Sequence, residues 1–367
     1  MTIKRIFSHG PSLGGASVLA IGALAIGAAV LATPANAQGK FDAAAYFKGK
    51  TIRLIIPSSP GGGADIRTRI FTDIARRKYF PGKPRFVVVN IPGAGGAIGI
   101  RRGMAAKPNG LTSVRVSRRF LLRELTGKGV KFFDSRKAIM LGADHNFQAD
   151  IWYVRRDIAK SWQDVLKLGR KVVEGASDPQ PTGGEMASLL GYPIRVVYGY
   201  GGAAEVRAAL GRNEIEATDL AGPHMLTLYP ELVKKKAWVP IFWWGRDPRT
   251  DPQTMKYLNA LGAKAPPYFF DVIKASDDDK SVFDVGTALP TATTFFPPGV
   301  RKEIVAAWQD AMAKTYEDPE MKKRALAAGT SVAWVPATKI KDVMKRGRTV
   351  VKNPKHRKML KSLLGQR

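Results

Sequence analysis

The sequence predicts an α/β protein of two lobes built on mainly parallel sheets, and three observations carry that prediction. From Lys50 onward, short β-branched apolar runs alternate with helix-like segments, the pattern of strands joined by helical crossovers. Twice near the start, such a run feeds a glycine-rich loop that opens a helix. Finally, the roughly 330 residues left after an amino-terminal leader exceed one comfortable hydrophobic core.

Thr51 to Pro57, with Ile52, Leu54, Ile55 and Ile56, reads as a buried strand, and Arg85 to Asn90, with Phe86 and three valines, as a second. The first leads into a glycine-rich loop and a helix through Ile66 to Ala75. The second leads into another such loop and a helix from Ala97 to Ala106. Strands are expected near Thr112–Ser117, Ala138–Ala143 and Asp150–Val154. Then come helix Trp162–Gly169, strand Lys171–Ala176, helix Gly184–Leu190, strand Ile194–Tyr198, helix Ala203–Leu210 and strand Ile215–Leu220. A helix through Met225–Lys235 leads to strand Trp238–Trp243. Prolines 248, 252, 266 and 267 mark the return of the chain from that strand as loop-rich. A helix from Val300 to Tyr316, a second opened by Asp318-Pro319, a strand Ser331–Val335 and a helix from Thr338 close the chain. Asp318 supplies a capping oxygen, and Pro319 suits a first helical turn.

The two loops carry a resemblance. Ile52-Arg53-Leu54-Ile55-Ile56-Pro57 through Gly61-Gly62-Gly63-Ala64-Asp65-Ile66-Arg67-Thr68-Arg69, then Val89-Asn90-Ile91-Pro92-Gly93-Ala94-Gly95-Gly96, resembles the opening of tripartite tricarboxylate transporter substrate-binding proteins, the Bug family. Ala106-Lys107-Pro108-Asn109-Gly110-Leu111-Thr112 is similar to that family's Ala-x-Pro-Asp-Gly-Tyr-Thr. Gly199 to Val206 with Arg212 to Glu216, and the late Pro297-Pro298-Gly299-Val300, extend the match over nearly all of the chain beyond the leader. The resemblance implies a type II periplasmic binding protein with an interdomain cleft. Lobe 1 would be discontinuous (38–153 and 246–367) and lobe 2 continuous (154–245). It further implies a periplasmic solute receptor that captures a small organic carboxylate, closes by a hinge motion and delivers its cargo to the membrane subunits of the transporter. Asn109 and Leu111 depart from the pattern without threatening the turn, whereas Pro179 and Pro181 stiffen a loop expected to touch ligand.

Lys4 and Arg5, the apolar stretch from Leu13 to Ala32 and the small-x-small site Ala35-Asn36-Ala37 read as a secretory signal, cleaved after Ala37. With no cysteine, the chain has no disulfide, thiolate metal site, cysteine nucleophile or lipidated cysteine. The formal net charge is +29, and the leader accounts for two of those charges. That surplus makes nucleic-acid or anionic-surface binding the alternative function. The cations are spread from Arg53 to Arg367 without a nucleic-acid motif, so no nucleic-acid partner is expected. A sensory receptor docking on a signalling membrane protein is a further alternative.

Glycine loops before helices suit anions, because the first helical amides have no intrahelical acceptor and the helix dipole favours negative charge by about 0.3–1 kcal/mol. The expected ligand-binding residues in lobe 1 are therefore Ser58, Ser59, Gly61, Gly62, Gly63, Ala64 and Asp65 from the first loop. Asn90, Gly93, Ala94, Gly95 and Gly96 come from the second, and Ser117 from a strand end. Asp65 reads equally as a helix cap and as a partner for a ligand amine, hydroxyl or water. From the other lobe, Gly175 to Ser177, Thr182, Gly183, Tyr200, Gly201, Gly202 and Asp219 are the facing groups, with Tyr200 open to a packing role instead. Arg118 and Arg119 are expected to be solvated, and Asp277-Asp278-Asp279 to form a solvated loop. His145, His224 and His356 lack metal-ligand spacing, and Gly63-Ala64-Asp65 lacks the Gly-Lys-Ser/Thr ending of a nucleotide loop. Neither an enzyme, a metal nor a cofactor is therefore expected.

Overall fold

The computed structural model describes residues 41–145, 149–176, 179–200, 203–221, 230–328 and 330–366. Asp42–Arg367 is one compact unit, and the expected leader lies outside the described residues. The chain begins α1 (Ala43–Phe47), β1 (Thr51–Ile56), α2 (Gly63–Ile74), β2 (Arg85–Asn90), α3 (Ala97–Met104), β3 (Thr112–Ser117), α4 (Arg118–Leu125) and β4 (Ile139–His145). It continues β5 (Ala149–Arg155), α5 (Trp162–Lys167), β6 (Val172–Gly175), α6 (Gly183–Leu189), β7 (Ile194–Val197), α7 (Ala203–Gly211), β8 (Ala217–Ala221), α8 (Pro230–Lys234) and β9 (Trp238–Gly245). After α9 (Pro252–Ala260), α10 (Phe269–Val272) and α11 (Asp277–Ala288) come β10 (Ala292–Phe296), α12 (Lys302–Glu317), α13 (Pro319–Ala327), β11 (Ala333–Pro336), α14 (Ala337–Val350) and α15 (Pro354–Leu363).

These strands make two sheets, ordered β11-β4-β10-β3-β1-β2 and β7-β6-β8-β5-β9. Parallel pairing joins β1 to β2 and β3, and β6 to β7 and β8. Strands β10 and β11 run against β4, and β10 also against β3, while β5 runs against β8 and β9. Within each sheet, most strands therefore point one way, as expected for mainly parallel sheets. The reversed strands are β5 in the second sheet and β10 and β11 in the first; β5 and β10 are the first that the chain lays down on entering the second sheet and on returning to the first.

The chain enters the second sheet at β5. All of β5 pairs in the second sheet, from Ala149↔Gly245 to Arg155↔Trp238. The physical reason is that both of its faces are buried. Trp152 and Val154 join the cluster that includes Phe242 of β9, whereas Ile151 and Tyr153 join the one that includes Val206 and Tyr257. The return is loop-rich only around Pro266 and Pro267. Pro252 occupies the first position of α9, Pro248 opens a short 3₁₀ turn, and Tyr257 of α9 meets Tyr153 edge-on at 5.8 Å. Chain beyond the expected boundary at 246 thus packs on the second sheet. Asp277, Asp278 and Asp279 are the first turn of α11 rather than a loop, with Ser276 and Asp279 forming a capping box. Of the expected helix Met225–Lys235, the part before Pro230 lies outside the described residues.

Packing ties the two sheets together on one side. Val114 and Val116 of β3, Trp152 of β5, Phe242 of β9 and Phe283 of α11 share one apolar cluster. Trp152 stacks on Phe242 with centroids 5.3 Å apart, and Phe283 meets both Trp244 and Phe269. Fully burying each such ring contributes about 1.5–3 kcal/mol.

Candidate functional site

In the first sheet, the loops after β1 and β2 leave the same edge and are bonded to each other. Asn90, the last residue of β2, donates from Nδ2 to the Ser58 carbonyl and to Asp65 Oδ1, each at 3.1 Å, and accepts from Arg69 Nη2 at 2.9 Å. Asp65 is not the N-cap. Gly62 holds that position, because α2 starts at Gly63. The Asp65 carboxylate instead reaches back to accept the Gly61 amide at 3.0 Å and pairs with Arg69. Burial pushes this carboxyl up, but the bonds from Arg69, Gly61 and Asn90 outweigh burial and hold it below the usual carboxylate range. One loop amide is thus taken internally. The Gly63 and Ala64 amides, at the start of the twelve-residue α2, still have no acceptor one turn earlier in the helix.

The second loop turns through four successive residues with positive φ: Gly93 (113°), Ala94 (49°), Gly95 (60°) and Gly96 (93°). Ala94 is the costly member, since an L side chain there costs roughly 1–2 kcal/mol. The turn is fastened by Gly96 N donating to the Gly93 carbonyl at 3.0 Å. Close packing fixes the helix behind it. A Cβ on Gly99 would stand 2.7 Å from the Ile91 carbonyl oxygen and 3.0 Å from Pro57 Cα. Ser58, Ser59, Gly61 and Gly93 to Gly95 are exposed, whereas Asp65 and Gly96 are buried.

Beneath the first loop lies a buried charge cluster. Arg67 Nε pairs with Asp144 Oδ2 at 2.6 Å, Arg115 Nη2 pairs with Asp144 Oδ1, and Arg67 Nη1 donates to Thr330 Oγ1 at 2.9 Å. Burial works against the Asp144 carboxylate, but Arg115 and Arg67 outweigh it and hold the group below its ordinary value. Two guanidinium groups facing one carboxylate leave one positive charge in excess. A Cβ on Gly63 would lie 3.1 Å from Arg67 Nη1, so this excess sits directly under the start of α2.

In the second sheet, the corresponding helix start is already occupied. Asp219 of β8 accepts the Gly184 amide of α6 at 2.9 Å and the Trp244 indole N–H at 2.7 Å, while Thr182 caps α6 through Glu185 N. Glu174 lies beside it, accepting Trp152 Nε1 at 2.9 Å. Burial first, and the Asp219 charge second, push the Glu174 carboxyl well above the usual carboxylate range, and burial raises Asp219 as well. The start of α6 is thus met by a carboxyl group of the protein itself.

Between these parts is a cavity of about 720 Å³. Arg118 and His145 reach it from the strand ends of the first sheet. Asp150, Thr182, Asp219 and Trp244 reach it from the second, while Arg246, Asp284 and Thr287 complete the wall. Arg118 is not solvated as expected, with only 7 % of its surface exposed. It opens α4 immediately after β3, and its backbone amide donates to the Thr291 carbonyl at 3.0 Å, which holds it inward. Arg119 is half-buried, with Nη1 3.6 Å from where a Gly95 Cβ would be. Burial, assisted by Arg118, lowers His145 to about 4, leaving it neutral at pH 7. Burial and the Asp219 charge raise Asp150 to about 7.

Of the expected residues, Thr182 and Asp219 line this cavity. Ser117 adjoins it as the residue before Arg118, at the N-cap of α4. Gly183 is buried in the first turn of α6, where a Cβ would stand 2.6 Å from Trp244 Cδ1. Tyr200 is half-buried and packs against the core of the second sheet. Ser177, Gly201 and Gly202 lie outside the described residues. The glycine loops stand along the same sheet edge, and none of their residues lines the cavity wall. His145, Asp150, Arg246 and Asp284 are site residues that the sequence reading does not reach. An acid opening the apolar run Ile151-Trp152-Tyr153-Val154 is the available signal for Asp150.

No protein-family model matches the sequence, and no curated protein is similar to it. Solved structures are. A TctC solute binding protein from Polaromonas superposes with a TM-score of 0.58 at 19% identity, covering 86% of this chain and 98% of its own. The periplasmic binding protein BugD gives 0.60 at 16%, covering 86% and 97%, and MatC from Rhodopseudomonas palustris with bound malate gives 0.57 at 13%, covering 82% and 99%. The chain thus has the two-lobed α/β fold of TctC and Bug periplasmic solute-binding proteins.

Proposed function

We propose that this chain is an exported solute receptor of the tripartite tricarboxylate transporter type. It takes a small organic carboxylate between its lobes and hands it to membrane subunits. The observation that carries this reading is the cavity of about 720 Å³ at the carboxyl ends of strands from both sheets, walled by the buried Arg118. The bound malate of one structural relative supports the ligand class.

In this reading the ligand also has a direction. On the first-lobe side stand Arg118, the glycine loops and the excess positive charge under α2, all of which favour a carboxylate. The second-lobe wall presents Asp150 and Asp219, with α6 already satisfied by Asp219. That wall accepts donors such as a hydroxyl or ammonium group. A ligand spanning the two would favour the lobes' closed arrangement over the open one. In this reading, Arg118 and the neighbouring Ser117 meet the anionic end in the cavity, the lobe 1 loop residues reach it from beyond the cavity wall on closure, and Thr182 faces it from the other side.

Calorimetry of the refolded, ligand-free protein against dicarboxylates, hydroxy- and amino-substituted dicarboxylates, tricarboxylates and aromatic acids tests the proposal. Binding of at least one class is expected, with Arg118→Gln weakening it by about 2 kcal/mol, the range of a charge-assisted hydrogen bond. Failure of every carboxylate at millimolar concentration would sink it.

A further inference from the structure

The carboxyl-terminal helices present a face that the solute site does not use. Residues 337–363 carry ten lysines and arginines against one acid, Asp342. On α14, Ile340, Val343, Met344 and Gly347 turn inward, while Lys339, Lys341, Lys345, Arg346 and Arg348 are exposed. On α15, Leu360 and Leu363 are buried, and Lys355, Arg357 and Lys358 are exposed. Both helices pack against α4 and α11, so their outer faces look the same way. The face continues past Arg348 into a groove of about 660 Å³, whose wall includes Lys131, Arg136 and Lys137.

Two features identify the partner. Among the described residues, no lysine or arginine of α14 or α15 forms a close ion pair with an acid, though Arg348 acts on Glu124 in the groove wall; of the groove cations, Arg136 pairs with Asp134. The exposed positions of the two helices hold only Lys, Arg, Thr, Asp, Pro and Ser, with no aromatic or amide side chain to stack on or read a base. A broad face of cations without an aromatic platform for bases fits a diffuse anionic surface. We propose that α14, α15 and the adjoining basic loop form a docking face for an anionic phospholipid bilayer, which would hold the receptor near the membrane.

Flotation with vesicles of phosphatidylcholine alone, and with phosphatidylglycerol added, tests this on the whole chain after its leader. Binding is expected only with phosphatidylglycerol and should fall steeply with salt. The triple variant Lys345→Glu, Arg346→Glu, Lys358→Glu should lose about tenfold or more in vesicle affinity. An equally charged control, Lys167→Glu, Lys171→Glu, Lys235→Glu on the second-sheet lobe, should retain it. An unchanged melting temperature would show that both variants fold. Equal losses in the two triples would reduce the effect to net charge and overturn the assignment. So would absence of binding to phosphatidylglycerol, or tighter binding to duplex DNA than to vesicles at the same ionic strength. Carboxylate affinity is expected to be the same in both triples, so this test and that of the solute site fail separately.

Discussion

At the scale of single residues, two acids, one buried and one facing the cavity, have opposite signs. Asp144 is held below its ordinary value by Arg115 and Arg67, so its stabilising contribution is present at neutral pH and is lost as pH falls through its folded pKa. Asp144→Asn strands two buried cations and should cost about 3–5 kcal/mol, read as a shift in the urea midpoint. Asp150 runs the other way. Its folded value of about 7 lies above the ordinary 3.8, so between those values the folded state holds a proton that the unfolded chain has lost. Stability from this group therefore falls as pH rises through that window, by up to about 1.4 kcal/mol per pH unit. Asp150→Asn should flatten that segment of a urea-midpoint profile. Because Asp150 faces the cavity, the wild-type affinity for a carboxylate should also decline as pH rises through about 7, whereas the variant's should not. A wild-type profile already flat across that range would remove Asp150 from the site.

At the scale of elements, local chemistry sets the predictions. Asp318 caps α13 through Glu320 N at 2.6 Å and also accepts Lys78 Nζ and Tyr79 Oη, at 3.0 and 2.7 Å. Asp318→Ala should cost about 1–2 kcal/mol in thermal or urea unfolding, and Asp318→Asn less, since the asparagine oxygen still caps. Gly96→Ala places a side chain at φ +93°, 3.1 Å from the Pro57 carbonyl oxygen, and should cost about 1–2 kcal/mol or more. Such features are legible in the sequence, as are β2 and β3, whose bounds match the expected ones. Strand periodicity, glycine loops and caps are local signals, written within a few neighbouring residues. The cavity wall is not legible, because it depends on distant pairings. Arg118 looks like a surface cation until the Thr291 carbonyl, far along the chain, draws its backbone amide inward. Asp219 is expected as a ligand contact, and it does line the cavity, but only the pairing of β8 shows that it also takes the Gly184 amide. The run 246–290 misleads for a different reason: Pro248 and Pro252 begin helical turns, and proline is equally at home in loops, as at Pro266 and Pro267.

At the scale of the whole molecule, the question is how freely two lobes joined by apolar packing move. The cluster containing Val114 of the first sheet and Phe242 of the second is continuous through Phe283 of α11. Pro181, before α6, sits where a Cβ on Gly286 of α11 would approach within 2.7 Å, and Pro179 sits similarly against Gly365. The prolines of the loop expected to touch ligand therefore bind the second lobe to α11 and the chain's end. Large apolar interfaces couple domains, whereas small polar ones let them move and melt apart. The protein should accordingly unfold in one calorimetric transition, with equal calorimetric and van't Hoff enthalpies. Phe283→Ala, which empties the centre of the junction, should cost about 3–5 kcal/mol and split or broaden that transition. Two well-separated melts in the wild type would mean that the lobes are thermodynamically independent. A single melt is the outcome expected of lobes that share their packing through α11.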